Sequence, residues 1–460
     1  MKEKNVKQDY GPLEAVPMSE RHVGFWDSVA TFAGATLQPT TWTLGGTMIC
    51  LGVFSGILTT TIATLISYTF IALFALMTFY SGTSTAGMAR FVLGIRGSSI
   101  FSISSIINSL GWSIVSNYMA AITYSYVFQL IFHTPAYGEA GCELYMIIGC
   151  LLNAILSYLA VGIGGTRLMK VFERFMMIAL VIFSVVLFYI LLKGLSWNDV
   201  LSFVVPDEMK MSFFGGLDFL LAVTITFAVL GGDLGRSMKT TTTAKYTPII
   251  GGVAAMLCFV IMGMCGIILH FKTTGEFNID VANPSTLAMS MGLGIVALLV
   301  VLFATVTTNM IDVFAMTNNI ENLWPSLGFS KSALFAGLLP ILFCWLPVAV
   351  SSFFDVFYSF ADFLGALFPP ILVIILMDFF VIRKKNVDMH DIDSPDGKYW
   401  YSGGYNVTAI VIWAIGSVIF FIMHIVLGFD FFSNVILSMV IVAVLYYIAA
   451  TNSVKKGYYQ

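Results

Sequence analysis

The sequence predicts an all-α integral membrane protein of twelve transmembrane helices, and three observations carry that prediction. Of 460 residues, 58% are hydrophobic and only 10% charged, and the mean hydropathy is +0.91; soluble domains carry roughly 25% charged residues. Apolar runs of bilayer length recur along the whole chain. The basic residues between those runs fall almost entirely on alternate connections. The net charge of −3 includes no basic block of the kind that binds nucleic acid.

A hydrocarbon core of about 30 Å needs about 20 apolar residues per helix. Runs of that kind cover 25–51, 53–80, 98–131, 143–163, 172–195, 214–232, 248–270, 288–319, 331–350, 353–380, 406–427 and 431–450. The third, eighth and tenth exceed the need and should tilt or protrude. The polar first 24 residues hold no apolar stretch behind a basic one, so no cleavable signal peptide is expected. An even count puts both termini on one side. That side takes Lys2, Lys4, Lys7 and Arg21, the loops with Arg90 and Arg96, with Arg167, Lys170 and Arg174, and with Arg236, Lys239 and Lys245. It also takes Lys331, the loop with Arg383, Lys384, Lys385 and Lys398, and the tail Lys455 and Lys456, making nineteen of 22; Lys193, Lys210 and Lys272 face the other way. Positive residues stay inside, so both termini are expected in the cytoplasm of a multi-pass cell-membrane protein. Six cysteines in apolar surroundings without metal-ligand spacing read as packing residues.

The first run is built against simple anchoring. "ATFAGATLQPTTWTLGGTM" (Ala30–Met48) carries Gln38, Pro39, three glycines and many threonines. Backbone freed by a break survives in hydrocarbon only if it is buried in protein or coordinates something; the plain alternative is a proline kink. The sixth run, "AVTITFAVLGGDLGR", combines threonines with Gly231–Gly232 and is expected to be interrupted too. Paired breaks five crossings apart, hence in opposite senses, mark the midplane site of a secondary transporter. In the eighth run, Ala304, Thr307 and Thr308 share one helical face. Opposite the carbonyls of Gly34 and Leu37 they would form an all-oxygen nest for a small hard cation. Threonines in membrane helices also bond back to their own helix.

Ionisable residues inside a span are functional candidates. Asp312 lies one turn beyond Thr308, and Asp362 sits within the tenth run on a stripe with Asp355 and Ser359. Either would suit proton coupling or a gate; the alternative is a structural pairing, for Asp312 with a cytoplasmic Arg or Lys. His133, His270 and His424 share no motif with a carboxylate. Asp233 and Arg236 read as a gate latch or a local cap. Phe357 and Phe360 read as a thin gate or as packing. The loop with Asp388, His390, Asp391, Asp393 and Asp396 lacks calcium-loop spacing and reads as a solvated linker.

Six motifs in order give a family likeness over roughly residues 25–380. "GATLQPTTWTLGGT", "MARFVLGIRGS" (Met88–Ser98), "GW" (Gly111–Trp112), "GGDLGR", "TTN" (Thr307–Asn309) and "ADFLGALFPP" resemble the nucleobase–cation symporters of the cytosine, purine, allantoin and hydantoin permease branch. The resemblance implies a LeuT-type fold with discontinuous helices 1 and 6. It divides the chain into an N-terminal segment 1–24, five-helix inverted repeats 25–195 and 196–380, a cytoplasmic loop 381–405, two further helices in 406–450 and a tail 451–460. It implies Na+ ligation by the carbonyls of Gly34, Leu37 and Ala304 and the hydroxyls of Thr307 and Thr308, and stacking of a flat ring on Trp112. Asn108, Trp112 and Ser116 form one stripe, so Asn108, Ser116 and neighbouring Asn117 are candidate ring partners, with Gln38, Thr224 and Thr226. The chain departs from the family pattern at Ser116, where several members have Gln, at Thr224, where the pattern has an aromatic that Phe227 could replace, and at Val313 in place of Asn.

The function expected is import of a small planar nitrogen heterocycle, such as cytosine or a purine, by cation symport through alternating access, with Na+ as coupling ion and no cofactor. Alternatives are proton-coupled uptake of a nucleobase or vitamin-like pyrimidine or pyridine ring and, remotely, a membrane-embedded enzyme, which would need a carboxylate pair or metal cluster facing one cavity. The residues leave the oligomeric state open.

Overall fold

The computed structural model describes residues 10, 11, 13–350, 353–395 and 397–455, without side chains at 163–174, 176, 177, 353–355 and 453–455. Lys2, Lys4, Lys7, Asp396 and Lys456 lie outside the described residues, as do the side chains of Arg167, Lys170, Arg174, Asp355 and Lys455. The chain is helical: α1 (Phe25–Thr36), α2 (Pro39–Ile49), α3 (Val53–Ser81), α4 (Thr85–Leu93), α5 (Ser98–Phe132), α6 (Glu143–Gly194), α7 (Trp197–Leu201), α8 (Phe213–Thr224), α9 (Ala228–Gly235) and α10 (Thr241–Thr274). There follow α11 (Pro284–Ser290), α12 (Gly294–Leu323), α13 (Gly328–Phe343), α14 (Leu346–Ala349), α15 (Phe353–Leu376), α16 (Val407–Phe420) and α17 (Asn434–Lys455). Among the described residues ten helices are long and apolar enough to cross a membrane.

The difference from twelve lies in two places. The first crossing is split into α1 and α2, each too short to span alone. The fourth and fifth runs are joined in the single 52-residue helix α6, of which Glu143–Gly162 has membrane length and Ile178–Gly194 is shorter. That helix is not a straight rod. Ser157 donates to the Val306 carbonyl (3.4 Å), whereas Leu180 packs on Ala304. A straight helix would hold residues 157 and 180 about 34 Å apart, so α6 turns back on itself and both arms flank one turn of α12.

Helices α8 and α9 also correct an expectation. Gly231 and Gly232 do not break the sixth crossing; they lie inside α9, where an added Cβ would sit 2.4 Å from Ile71 and 2.1 Å from Thr85. They are there for close packing on α3 and the start of α4. The irregularity comes earlier, as a 3-10 turn over Ile225–Phe227 that leaves the helical course unbroken.

The pairings are specific. α1 and α2 pack on α10, α8 and α9 pack on α3, and α5 packs on α12. α5 and α12 run antiparallel, because Asn322 Nδ2 donates to Ser102 Oγ (2.8 Å) while Ser113 meets Asn309. Trp112 therefore lies level with the turn Met310–Asp312.

One end of the bundle gathers the basic residues. There Arg236 donates to the Gly11 carbonyl (3.0 Å), Arg21 to the Phe79 carbonyl (2.6 Å), and Arg383 to the Phe91 carbonyl (3.2 Å). The connection 383–405 is a folded strap rather than a solvated linker: Tyr399 is buried against Phe91, and Asp393 pairs with Arg90, which also donates to Asn322 Oδ1 (3.2 Å). Asp388 and Asp391 accept from Lys398 within the strap. At the other end Asp218 of α8 accepts from the first amides of α17, Asn434 (2.8 Å) and Val435 (3.1 Å), and from Ser433 Oγ. A buried carboxylate from the central bundle thus caps the last helix.

Candidate functional site

The site is built on the first break. Pro39 has no N–H to give the Ala35 carbonyl, and the Gln38 N–H turns to Thr36 O (2.9 Å) instead of Gly34 O. Thr41 and Trp42 then donate to Gln38 O (3.0 and 3.3 Å). Among the described residues no N–H is bonded to the Gly34 or Leu37 carbonyl. Leu37 (φ −75°, ψ 76°) and Gln38 (φ −139°, ψ 157°) are the two non-helical residues.

A cavity of about 30 Å³ opens beside this break, lined by Ala35, Gln38, Trp112, Phe227, Leu230, Thr308, Ile311 and Asp312. That is room for a few waters at most, one water needing about 10–15 Å³ on this measure, so a ring enters only by moving its walls. One wall is aromatic. The Trp112 ring lies 5.8 Å from Phe227, 6.0 Å from Phe357 and 5.9 Å from Phe360, the last two edge-on. Gly111 makes room for this: an added Cβ would stand 2.2 Å from the Phe360 ring. The 3-10 turn at Ile225–Phe227 brings Phe227 round to the cavity and places Thr226 behind Trp112, whose Nε1 donates to Thr226 Oγ1 (3.4 Å).

The structure separates the candidates. Trp112, Gln38 and Phe227 line the cavity. Asn108 Oδ1 and Ser116 Oγ, on the Trp112 stripe, are buried without a hydrogen-bond partner among the described residues. Asn117 is committed elsewhere: its Oδ1 accepts from Asn153 Nδ2 (2.8 Å) and Asn309 Nδ2 (3.0 Å), and its Nδ2 donates to Ser113 Oγ (3.4 Å). Thr305 adds a bond to Asn153 Oδ1 (3.2 Å), completing a polar knot that ties α5, α6 and α12. Thr224 is likewise a packing residue, bonded to Leu220 O (2.6 Å) and to Ser67 Oγ of α3 (2.6 Å). Thr226 holds the tryptophan rather than facing the cavity.

Of the cation candidates, Thr308 lines the cavity opposite Ala35 and Gln38, while Gly34, Leu37, Ala304 and Thr307 are not on its walls. Both threonines bond back along α12, Thr307 to Phe303 O (2.8 Å) and Thr308 to Ala304 O (3.1 Å). A hydroxyl that spends its hydrogen this way keeps its lone pairs for a ligand.

The two intramembrane aspartates part company. Asp312 lines the cavity, its Oδ2 is enclosed without a partner, and no described Lys or Arg lies within 4.0 Å, so the expected salt bridge is absent among the described residues. Asp362 does not line the cavity and is paired instead: its Oδ1 meets His424 Nε2 at 3.0 Å, and His424 Nδ1 stands 3.7 Å from Asp218. His424 is thus not isolated. It was missed because its partners are 62 and 206 residues away in sequence. Asp233 accepts from the Thr85 N–H (2.9 Å) and caps α4, whereas Arg236 holds the N-terminal segment; among the described residues no hydrogen bond joins the two.

The chain as a whole is matched by known proteins. A family model described as permease for cytosine/purines, uracil, thiamine, allantoin matches residues 15–449. The chain belongs to that family. It is a multi-pass membrane permease, not an enzyme. The purine-uracil permease NCS1 of Arabidopsis thaliana is 26% identical over 432 residues, covering 88% of this chain and 70% of the relative. The hydantoin permease of Microbacterium maritypicum is 23% identical over 349 residues, or 73% and 68%. The fold of this permease is that of Mhp1, a nucleobase-cation-symport-1 family transporter. Its closed form with bromovinylhydantoin bound matches at a TM-score of 0.77 and 19% identity, covering 97% of this chain and 96% of that one. Its inward-facing form matches at 0.79 and 20%, covering 97% and 94%.

Proposed function

We propose that this permease imports a small planar nitrogen heterocycle of the nucleobase class by symport with Na+, through alternating access. One observation carries the reading: the first crossing is broken at Leu37–Gln38, and the break shares a cavity with Thr308 and Trp112. Cation and ring would thus meet at one point on the same helix. The relatives that move purines, uracil and hydantoin support the ring class.

The Na+ ligands in this reading are the carbonyls of Gly34, Leu37 and Ala304 and the hydroxyls of Thr307 and Thr308. The free carbonyls of Gly34 and Leu37 favour it. Binding there requires the α1 end to approach α12, fixing the Gln38 backbone against Trp112 and preorganising the ring pocket. Each ligand should then tighten the other by the same factor. Exchange between outward and inward access is attributed to two five-helix repeats. The first crossing packing on the seventh, the sixth on the second and the third on the eighth is the pattern an inverted repeat of five generates. Splitting the first crossing and counting both arms of α6 gives twelve crossings, and the basic end of the bundle is assigned to the cytoplasm with both termini.

The experiment is ring binding to the purified protein in Na+ and in K+. Tighter ring binding in Na+, with equally tighter Na+ binding in ring, supports the reading; equal affinity in both salts contradicts it. Proton coupling is the second reading, favoured by the unpartnered Oδ2 of Asp312. It predicts uptake in Na+-free medium driven by an inward pH gradient.

A further inference from the structure

We infer that Asp312 is the specificity-determining residue of the cavity, selecting rings that present an amino group beside a protonatable ring nitrogen over rings that present only carbonyls and lactam N–H groups. The inference rests on the heterocycle reading above and names the substrate class within it.

Among the cavity walls Asp312 is the one ionisable side chain, set among Ala35, Gln38, Trp112, Phe227, Thr308 and Ile311. Its Oδ2 is enclosed, accepts no hydrogen bond, and has no described cation within 4.0 Å. A carboxylate so placed is costly unless a partner is supplied. The helix register places it level with Trp112, where a ring stacked on the indole would present its edge to α12. Asn108 Oδ1, one turn from Trp112 on α5, is a second buried acceptor without a donor. Asp312 Oδ2 on the cavity wall, with Asn108 Oδ1 behind it, is therefore an acceptor for which a ligand can bring the donor.

A 4-aminopyrimidine, cytosine or adenine edge supplies them. Its exocyclic NH2 and protonated ring nitrogen form a donor pair that matches both oxygens of a carboxylate, as a guanidinium does. Uracil, hypoxanthine and hydantoin present a lactam N–H beside a carbonyl oxygen there, so one carboxylate oxygen gains a donor while the other faces a like partial charge. A ring site that leaves a buried polar group unpaired discriminates strongly against the wrong ligand.

The test is equilibrium binding to the full-length protein at fixed Na+, with matched rings: cytosine against uracil, adenine against hypoxanthine, and 4-aminopyrimidine against pyrimidin-4-one. The aminated member of each pair should bind about 10- to 150-fold more tightly, the span of one charge-assisted hydrogen bond. Asp312→Asn should collapse that ratio by weakening the aminated member alone. In the wild type, 4-aminopyrimidine affinity should fall as pH rises through the ring's own pKa. A wild-type ratio at or below one overturns the inference, as does an unchanged ratio in Asp312→Asn. Equal weakening of both members with a changed pH dependence makes Asp312 a proton carrier instead, and also overturns it. Should Asp312→Asn fail to fold, the wild-type ratios and Asp312→Glu decide. Na+-linked binding of carbonyl rings alone would sink this inference and spare the carrier reading; no ring binding under any salt would sink the carrier reading itself.

Discussion

Replacing Asn117 by Ala tests whether this residue binds the ring or holds the helices. Its Oδ1 accepts from Asn153 at 2.8 Å and from Asn309 at 3.0 Å, and the truncation orphans both donors. Interhelical hydrogen bonds in membrane proteins average about 0.6 kcal/mol and reach about 1.7 kcal/mol. Two such bonds give about 1–3 kcal/mol, with the loss of the 3.4 Å bond to Ser113 adding little. The assay is thermal unfolding in detergent, paired with ring binding measured well below the midpoint. Asn117→Ala should lower Tm by a few degrees and leave ring affinity within about threefold. Because Asn117 and Asn309 share one bond, Asn309→Ala in the same background should add less than it does alone. An unchanged Tm together with a tenfold loss of ring affinity would refute the assignment and return Asn117 to the pocket.

Three further outcomes follow from local geometry. Gly111→Ala drives a Cβ to 2.2 Å from the Phe360 ring, an overpacking of about 1–3 kcal/mol; ring affinity should fall while Na+ affinity without ring holds, and unchanged ring affinity would remove Phe360 from the pocket wall. Asp218→Ala removes the carboxylate that caps α17; at about 0.5–2 kcal/mol for a lost cap, hydrogen exchange at Asn434 and Val435 should speed, and unaltered exchange there would contradict the cap. Beside α7, Lys272 and then the Ser196 hydrogen bonds hold the Asp199 carboxyl down at about 2. A depressed acid stabilises above its free value near 4 and loses that contribution as pH falls toward the folded value. Exchange protection of the α7 segment should therefore be flat from pH 7 to about 4 and drop below it; a drop at higher pH would contradict the clasp.

What the sequence made legible was local. The break at Leu37–Gln38 follows from Pro39, whose missing N–H frees a carbonyl wherever the chain lies. Trp112 and Thr308, singled out by helical spacing and by the family motif, and Gln38 beside the break, do line one cavity. The failures are of one physical kind. Gly231 and Gly232 looked like a break because glycine weakens an isolated helix; against Ile71 and Thr85 the same absence of a Cβ permits packing. The hydrogen bonds of Asn117, Thr224 and His424 could not be read, because their partners, Asn309, Ser67 and Asp362, lie on other helices, and no spacing rule reaches across a bundle. Asp393 is as exposed as its charge suggests, but charge alone does not reveal that it pairs with the buried Arg90 and that Tyr399 folds the connection onto Phe91.

The central claim is that cation and ring meet at the first-helix break. It is tested most directly by ring affinity as a function of Na+ in the wild type and in Thr308→Ala. The account predicts that Na+ tightens ring binding in the wild type, and that in Thr308→Ala this dependence disappears while the Na+-free ring affinity and the fold persist. A Thr308→Ala protein whose ring affinity still climbs with Na+ as the wild type's does would contradict it.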